Sequence, residues 1–264
     1  MLCNRKSGLA KKYKGIMLIN YTRDKIMGGR VTIFQPTDGY RVGIDPVFLA
    51  AAIPAKPGNK ILDVGSGTGA ASLVLALRCS DVFVIGLELQ GSLVDLADDS
   101  AKETGLDDRV KFIEGDLLKP PKAFLSDCFD HVMANPPYFR EGQGNFPKDF
   151  SKKTATIEGS AILSDWLKFL LTCLCDKGTL TIIHRYDRSE EVMASLKTFG
   201  AGNIVIFPLW QNKINKEAKR VIIQAQKGVA WTRKIRSGLI LHEKGGVYTA
   251  KAEEVLREGK ALMV

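Results

Sequence analysis

After residue 30 the sequence alternates short β-branched runs with amphipathic stretches. That alternation implies a mostly parallel sheet with helices on both faces, because each helix carries the chain back to start the next strand alongside the last. Lys60-Ile-Leu-Asp-Val64 is the first core strand, followed by a helix from Ala70 to Arg78. Val82 to Leu87 is the second, ending at Glu88, and a helix from Ser92 to Glu103 follows. Val110 to Ile113 is the third, ending near Asp116; Phe129 to Ala134 is the fourth, ending on Asn135. A long apolar helix from Ile162 to Cys175 leads to the fifth strand, Thr179 to His184, and a helix from Ser189 to Phe199 comes next. Ile204–Phe207 and Arg220–Gln226 are the last two strands, joined by the irregular stretch 208–219. That stretch leaves no room for a crossover helix, so the pair is antiparallel. Ahead of the first strand, Asp45-Pro46 reads as a helix start, with Asp45 as the cap and Pro46 at the first helical position, where its missing N–H costs nothing. The stretch between Tyr138 and Ser160, rich in Gly, Lys and Phe, is the longest loop, and loops of that length inside a domain usually serve function.

A chain of 264 residues fits one large α/β domain: a basic N-terminal arm over 1–30 and a single domain over 31–264. No apolar run approaches the roughly 20 residues that span a bilayer. The N-terminus has no signal-type apolar core, so the expectation is a cytoplasmic protein without a membrane partner, an organelle transit peptide being the alternative. Met17 is a second candidate start, and a chain beginning there is expected to fold and bind cofactor. The charge is unevenly spread. Residues 1–30 hold eight bases and one acid, a net of +7; residues 31–138 hold nine and fifteen, a net of −6. Residues 139–236 hold seventeen and nine, a net of +8, and 237–264 balance at four each. Two basic regions flanking an acidic one suit a polyanion such as RNA. The cysteines, Cys3, Cys79, Cys128, Cys173 and Cys175, are scattered and read as reduced core thiols. His131, His184 and His242 show no metal spacing, and no metal is expected; His131 and His184 lie inside strands and read as structural.

Asp63-Val-Gly65-Ser-Gly67-Thr-Gly69-Ala70 follows an apolar strand and opens a helix. Glycines at such a turn allow positive φ and close approach of a ligand to the backbone. The string also satisfies a dinucleotide fingerprint, so the glycines alone leave a nicotinamide cofactor and S-adenosyl-L-methionine both open. Asp63 at the strand end, the third glycine Gly69, and Glu88 at the end of the second strand favour S-adenosyl-L-methionine. Asp63 would face a cationic amino acid group, and Glu88, with Leu89 beside it, the ribose hydroxyls. Asp116, with Leu117, is placed for the adenine amino group.

Asn135-Pro136-Pro137-Tyr138 decides the choice. It begins where the fourth strand ends, at the carboxyl edge where open α/β sheets bind ligands. An exocyclic amino or amide nitrogen is a poor nucleophile because its lone pair is delocalised. The Asn135 side-chain oxygen and the Pro136 carbonyl can accept its two N–H bonds and turn the lone pair toward a methyl donor. Tyr138 can stack on a flat base or amide. Asn135, Pro136 and Tyr138 are thus the catalytic candidates, with Asn135 also at the cofactor. Pro137, Phe139, Arg140, Lys152, Lys153, Lys219 and Arg220 are candidates for substrate contact, with Lys148, Lys213 and Lys216 nearby.

Together these motifs resemble class I Rossmann-like methyltransferases that methylate amino groups. The resemblance implies a three-layer α/β fold with a seven-strand sheet in the order 3-2-1-4-5-7-6, the last strand antiparallel. The segment Gln35-Pro36-Thr-Asp-Gly39-Tyr40-Arg41-Val-Gly43-Ile-Asp45, followed by the glycine turn and NPPYF, is similar to the bacterial tRNA1(Val) adenine-37 N6-methyltransferase family, as are Trp166 and Leu241-His242. In that family the first segment packs over the cofactor, which implies a place there for Arg41, Gly43 and Asp45. Members often carry an Ala-Arg-x-Glu-like stretch after NPPY; here it is Ala155-Thr156-Ile157-Glu158, without the arginine. The implied function is N6-methylation of adenine in RNA, tRNA above all. Glutamine-amide methylation of a protein or guanine N2 methylation of rRNA would keep the motif with another substrate. A small-molecule O-methyltransferase would not need NPPY, and an RNA-binding protein with a dead cofactor site would not need Asp63, Glu88 and Asn135.

Overall fold

The computed structural model describes residues 6–13, 17–38, 41–126, 128–140, 158–212 and 218–264. Three N-terminal strands, β1 (Lys6–Tyr13), β2 (Met17–Ile26) and β3 (Val31–Pro36), pair antiparallel into a sheet of their own. The turn from β2 to β3 passes through Gly28 at φ +66°, where a Cβ would lie 2.9 Å from the Arg257 carbonyl oxygen, so only glycine fits. Two backbone N–H groups of β3 bind helix hydroxyls: Phe34 donates to Ser100 Oγ (2.9 Å) and Thr32 to Thr104 Oγ1 (3.2 Å).

The main domain runs α1 (Asp45–Ala52), β4 (Lys60–Val64), α2 (Ala70–Arg78), β5 (Phe83–Glu88), α3 (Gly91–Thr104), β6 (Val110–Glu114), α4 (Lys122–Ser126) and β7 (Phe129–Ala134). It continues with α5 (Leu163–Cys173), β8 (Leu174–Arg185), α6 (Ser189–Thr198), β9 (Ala201–Trp210), β10 (Ala218–Lys227), β11 (Arg233–Ile235), β12 (Leu239–Ile240) and α7 (Ala250–Glu253). The seven core strands lie in the order β6-β5-β4-β7-β8-β10-β9, the expected 3-2-1-4-5-7-6. β10 is antiparallel to both its neighbours. β11 and β12 extend the sheet beyond expectation, both pairing parallel with the outer edge of β9. Every residue of β11 is exposed, so no alternation of apolar side chains announces it in the sequence.

Successive residues of the central strands face opposite helix layers, as the two-residue strand period requires. Ile61, Met133, Ile183 and Ile222 join the layer built on α1, α2, α3 and β3, with Phe48, Leu73 and Ile33. Leu62, Val132, Ile182 and Val221 join the layer built on α5 and α6, with Leu167, Leu170 and Leu196. Because the central strands are buried on both faces, their sequences read as near-continuous apolar runs.

Two local expectations are corrected. Asp45 does not cap α1: Ile44 is the cap, Asp45 lies in the first turn with Pro46, and its carboxylate turns instead toward Tyr138 and Arg220. Nor are all the cysteines thiols. Cys128, just before β7, is disulfide-bonded to Cys175 in β8, beside the Phe129–Leu174 pair where the two strands first meet. Cys79 and Cys173 are free thiols, and Cys3 lies outside the described residues. His131 does have a structural setting, with its Nε2 3.2 Å from Asn59 Oδ1.

Candidate active site

The carboxyl ends of β4, β5 and β7 open into one cleft, lined by the glycine turn, Glu88, Asp116, Asn135–Tyr138 and Trp166. The turn is built by backbone geometry. Gly65, Gly67 and Gly69 all have positive φ (70°, 57° and 83°). They serve two ends. A Cβ on Gly65 would lie 2.5 Å from the Trp166 ring, and one on Gly69 2.5 Å from Phe112, so both permit close packing. A Cβ on Gly67 would meet nothing within 4 Å, and Gly67 faces the open cleft. Gly69 itself is not part of the cleft wall; it is the left-handed cap of α2.

Two buried acids face this turn. Glu88 clips it to β5: one carboxylate oxygen accepts from Gly67 N (2.9 Å) and the other from Gln90 N (2.9 Å). Burial still pushes the Glu88 carboxyl above its ordinary range, against those backbone donors. Asp63 accepts from Ser72 Oγ at 2.7 Å, and burial raises it to about 7, with like-charged Glu88 adding to the shift. Asp116 lines the cleft while its Oδ1 accepts from Leu118 N (2.9 Å), as in an aspartate turn. Leu89 and Leu117 complete that wall.

Opposite stands the motif at the end of β7. Pro136 and Pro137 are buried; Asn135 and Tyr138 are half-buried. The Tyr138 hydroxyl lies 2.6 Å from both Asp45 Oδ2 and Asn135 Oδ1. Arg220, at the start of β10, donates from Nε to the same Asp45 oxygen (3.0 Å) and lays its guanidinium 4.2 Å from the centroid of the Tyr138 ring. His184, next to last in β8, meets the edge of that ring (5.4 Å between centroids, 82°), and its Nε2 is 3.3 Å from the Pro137 carbonyl oxygen. Burial, reinforced by the Arg188 charge, lowers His184 to about 4, so at neutral pH it is an uncharged positioning group. Arg188 closes the far side. It donates to Glu158, to Glu191 (2.7 Å) and to the Tyr138 carbonyl (3.5 Å), while Glu158 N donates to Phe139 O (2.7 Å).

The remaining expected cofactor and substrate contacts are placed less centrally. Arg41 does not line the cleft; it is bound by Asp24, Thr22 Oγ1 (2.9 Å) and the Pro36 carbonyl (3.5 Å). Phe139 lies under the Arg185 guanidinium (4.7 Å), and Arg140 pairs with Glu191 (2.9 Å). Lys219 is exposed beside Arg220. Gly39, Tyr40, Lys148, Lys152, Lys153, Ala155 to Ile157, Lys213 and Lys216 lie outside the described residues.

A family model described as a methyltransferase domain matches residues 55–225, from just before β4 into β10. The chain belongs to the methyltransferase-domain family. Among curated relatives, the tRNA1(Val) (adenine(37)-N6)-methyltransferase of Mannheimia succiniciproducens is 26% identical over 222 residues, 83% of this chain and 86% of the relative. The protein of the same name from Bacteroides fragilis is 30% identical over 159 residues, 60% of this chain and 66% of the relative. The crystal structure of a predicted O-methyltransferase from Agrobacterium tumefaciens shares the fold, with a TM-score of 0.69 at 23% identity, over 83% of this chain and 99% of that one.

The methyltransferase is thus an enzyme whose methyl donor is S-adenosyl-L-methionine. The cleft residues suit such a donor. It has a cationic amino acid end, ribose hydroxyls and an adenine. Asp63 is a buried carboxylate whose charged neighbour is another acid, so a cation there would relieve it. Ser66 Oγ and Thr68 Oγ1 in the turn are buried without a hydrogen-bond partner among the described residues, and both line the cleft. Among the described residues no group of three or more His, Cys, Asp or Glu could hold a metal ion, and no helix is long and apolar enough to cross a membrane.

His184, Arg188 and Trp166 are the residues whose place at the site sequence reasoning missed or left unassigned, and Asp45, implied to lie over the cofactor, is bound to Tyr138 and Arg220. A positional signal existed for His184: it sits at the carboxyl end of the strand next to β7. Asp45 and Arg188 act across long sequence separations, which periodicity cannot reveal.

Proposed function

We propose that the methyltransferase transfers the methyl group to the exocyclic N6 nitrogen of an adenine in RNA, and that this RNA is tRNA. The observation that carries the reading is the Asn135–Tyr138 motif at the end of β7, in one cleft with the glycine turn and its two acids. When bound, S-adenosyl-L-methionine supplies an electrophilic methyl group on a cationic sulfur. The protein's part is to present a nitrogen. Asn135 Oδ1 and the Pro136 carbonyl accept its two N–H bonds, which favours a pyramidal nitrogen with an available lone pair. Both acceptors stabilise the positive charge the nitrogen gains as the N–C bond forms, and one of its protons then leaves to water. No covalent enzyme intermediate and no strong base is needed. An adenine must leave its stack to reach such a cleft.

Position 37 of tRNA1(Val) is the nucleotide named in the curated relatives, and the basic stretch after the motif suits an RNA partner. A tRNA substrate also agrees with a cytoplasmic setting. The experiment that tests the substrate class uses methyl-labelled cofactor with unmodified bulk tRNA, total ribosomal RNA and release-factor protein in parallel. Label in tRNA is expected; label confined to protein or ribosomal RNA would overturn the reading.

A further inference from the structure

The Tyr138 hydroxyl has one proton and two acceptors, Asp45 Oδ2 and Asn135 Oδ1, each at 2.6 Å. It cannot avoid the choice by moving, because Arg220 covers a face of its ring at 4.2 Å and His184 meets its edge at 5.4 Å. A carboxylate is the stronger acceptor, and the Arg220 Nε–H at 3.0 Å from the same oxygen supports the charge of an Asp45 side chain only 13% exposed. We propose that Asp45 is a positioning residue: it takes the Tyr138 proton and thereby sets which way the Asn135 carboxamide faces. This rests on the reading of Asn135 given above.

With the proton on Asp45, Tyr138 presents only lone pairs to Asn135. Two oxygens at 2.6 Å with no proton between them repel. A half-turn of the carboxamide replaces that contact with a hydrogen bond donated by Asn135 Nδ2 to Tyr138 Oη. The same half-turn points Asn135 Oδ1 away from Tyr138 and leaves both its lone pairs for the substrate N–H. With the proton on Asn135 instead, Oδ1 is already accepting and is a weaker partner for a nitrogen gaining charge. The difference falls on the chemical step, so it belongs in kcat.

A double-mutant cycle tests this. Asp45→Asn keeps the shape and removes the charge that draws the proton. It is expected to lower kcat on tRNA about tenfold, the size of one weakened hydrogen bond in the transition state, with KM unchanged within about twofold. In a Tyr138→Phe background there is no proton to misplace, so adding Asp45→Asn should change kcat by less than about twofold. An equal loss in both backgrounds would mean that Asp45 only supports the fold, and would overturn the proposal. Should Asp45→Asn fail to fold, Asp45→Ser carries the same expectation.

A second readout needs no substrate. With 15N-labelled asparagine, the Asn135 side-chain amide signal should move on Asp45→Asn in the wild-type background and stay in place in the Tyr138→Phe background. Movement in both backgrounds would refute the proton assignment. Wild-type enzyme that leaves tRNA unlabelled would instead count against the substrate reading, while the amide signal still tests Asp45.

Discussion

Asp63 is held in the cleft with its carboxyl raised from 3.8 to about 7 by burial, and its charged neighbour is another acid. The folded protein therefore binds this proton more tightly than the unfolded chain does. Its contribution to stability is full below pH 3.8 and is lost as the pH rises through about 7. Asp63→Asn should accordingly stabilise the cofactor-free enzyme at pH 8, by up to about 4 kcal/mol in urea melts, and by nothing near pH 3.5. A gain that does not depend on pH would contradict this account of Asp63. The same variant should bind S-adenosyl-L-methionine more weakly, because the cation loses its partner. Asn135→Ala is the complement. It should reduce turnover by at least about a hundredfold while isothermal titration finds cofactor affinity nearly unchanged. At this scale the sequence was informative at Asp63, Glu88 and Asn135, at the carboxyl ends of their strands, but not at His184, which lies near the end of β8. It was misleading at Asp45, where a good helix-start pattern concealed a side chain turned toward a residue 93 positions away.

The motif at the end of β7 is clasped by Arg188 from the turn after β8. Arg188 and Glu158 form a buried pair there, with side chains 10% and 6% exposed. Removing one partner of such a pair strands a charge in the interior. Arg188→Met should cost about 3 kcal/mol in denaturant melts, and adding Glu158→Leu should recover much of that loss. A double variant as unstable as the sum of its singles would show that the pair is not coupled. Glu158, in the stretch that lacks the arginine often carried by members of the resembled family, is thus paired with Arg188 from another element. The element pattern itself was legible in the sequence because the core strands are buried on both faces and each is bracketed by glycine, proline or acidic turns. β11 and β12 were not legible. β11 is fully exposed and held by backbone pairing along β9, and β12 is only two residues long, so neither shows a side-chain pattern although Leu239 is buried.

Across the whole molecule, the strand order places the acid-rich cofactor half and the basic half that follows Tyr138 on opposite sides of the β7–β8 junction. Lysine and arginine contacts to phosphates release counterions, so tRNA affinity should fall on the order of a hundredfold between about 50 mM and about 200 mM salt. Cofactor affinity should barely change over that range, as filter binding and calorimetry can show. The layered fold followed from the alternation of elements, the sheet order from the family resemblance and the place of the cleft from the two motifs; the substrate was not readable from the residues alone. Under the proposed function, phosphate grip and base capture fall to side chains brought together from β7, β8 and β10. The most direct measurement is the identity of the methylated nucleoside: unmodified tRNA is methylated, digested completely and separated by mass spectrometry. N6-methyladenosine, absent with Asn135→Ala, is the expected product; methyl label in guanosine, or on a ribose or base oxygen, would contradict adenine N6 as the target.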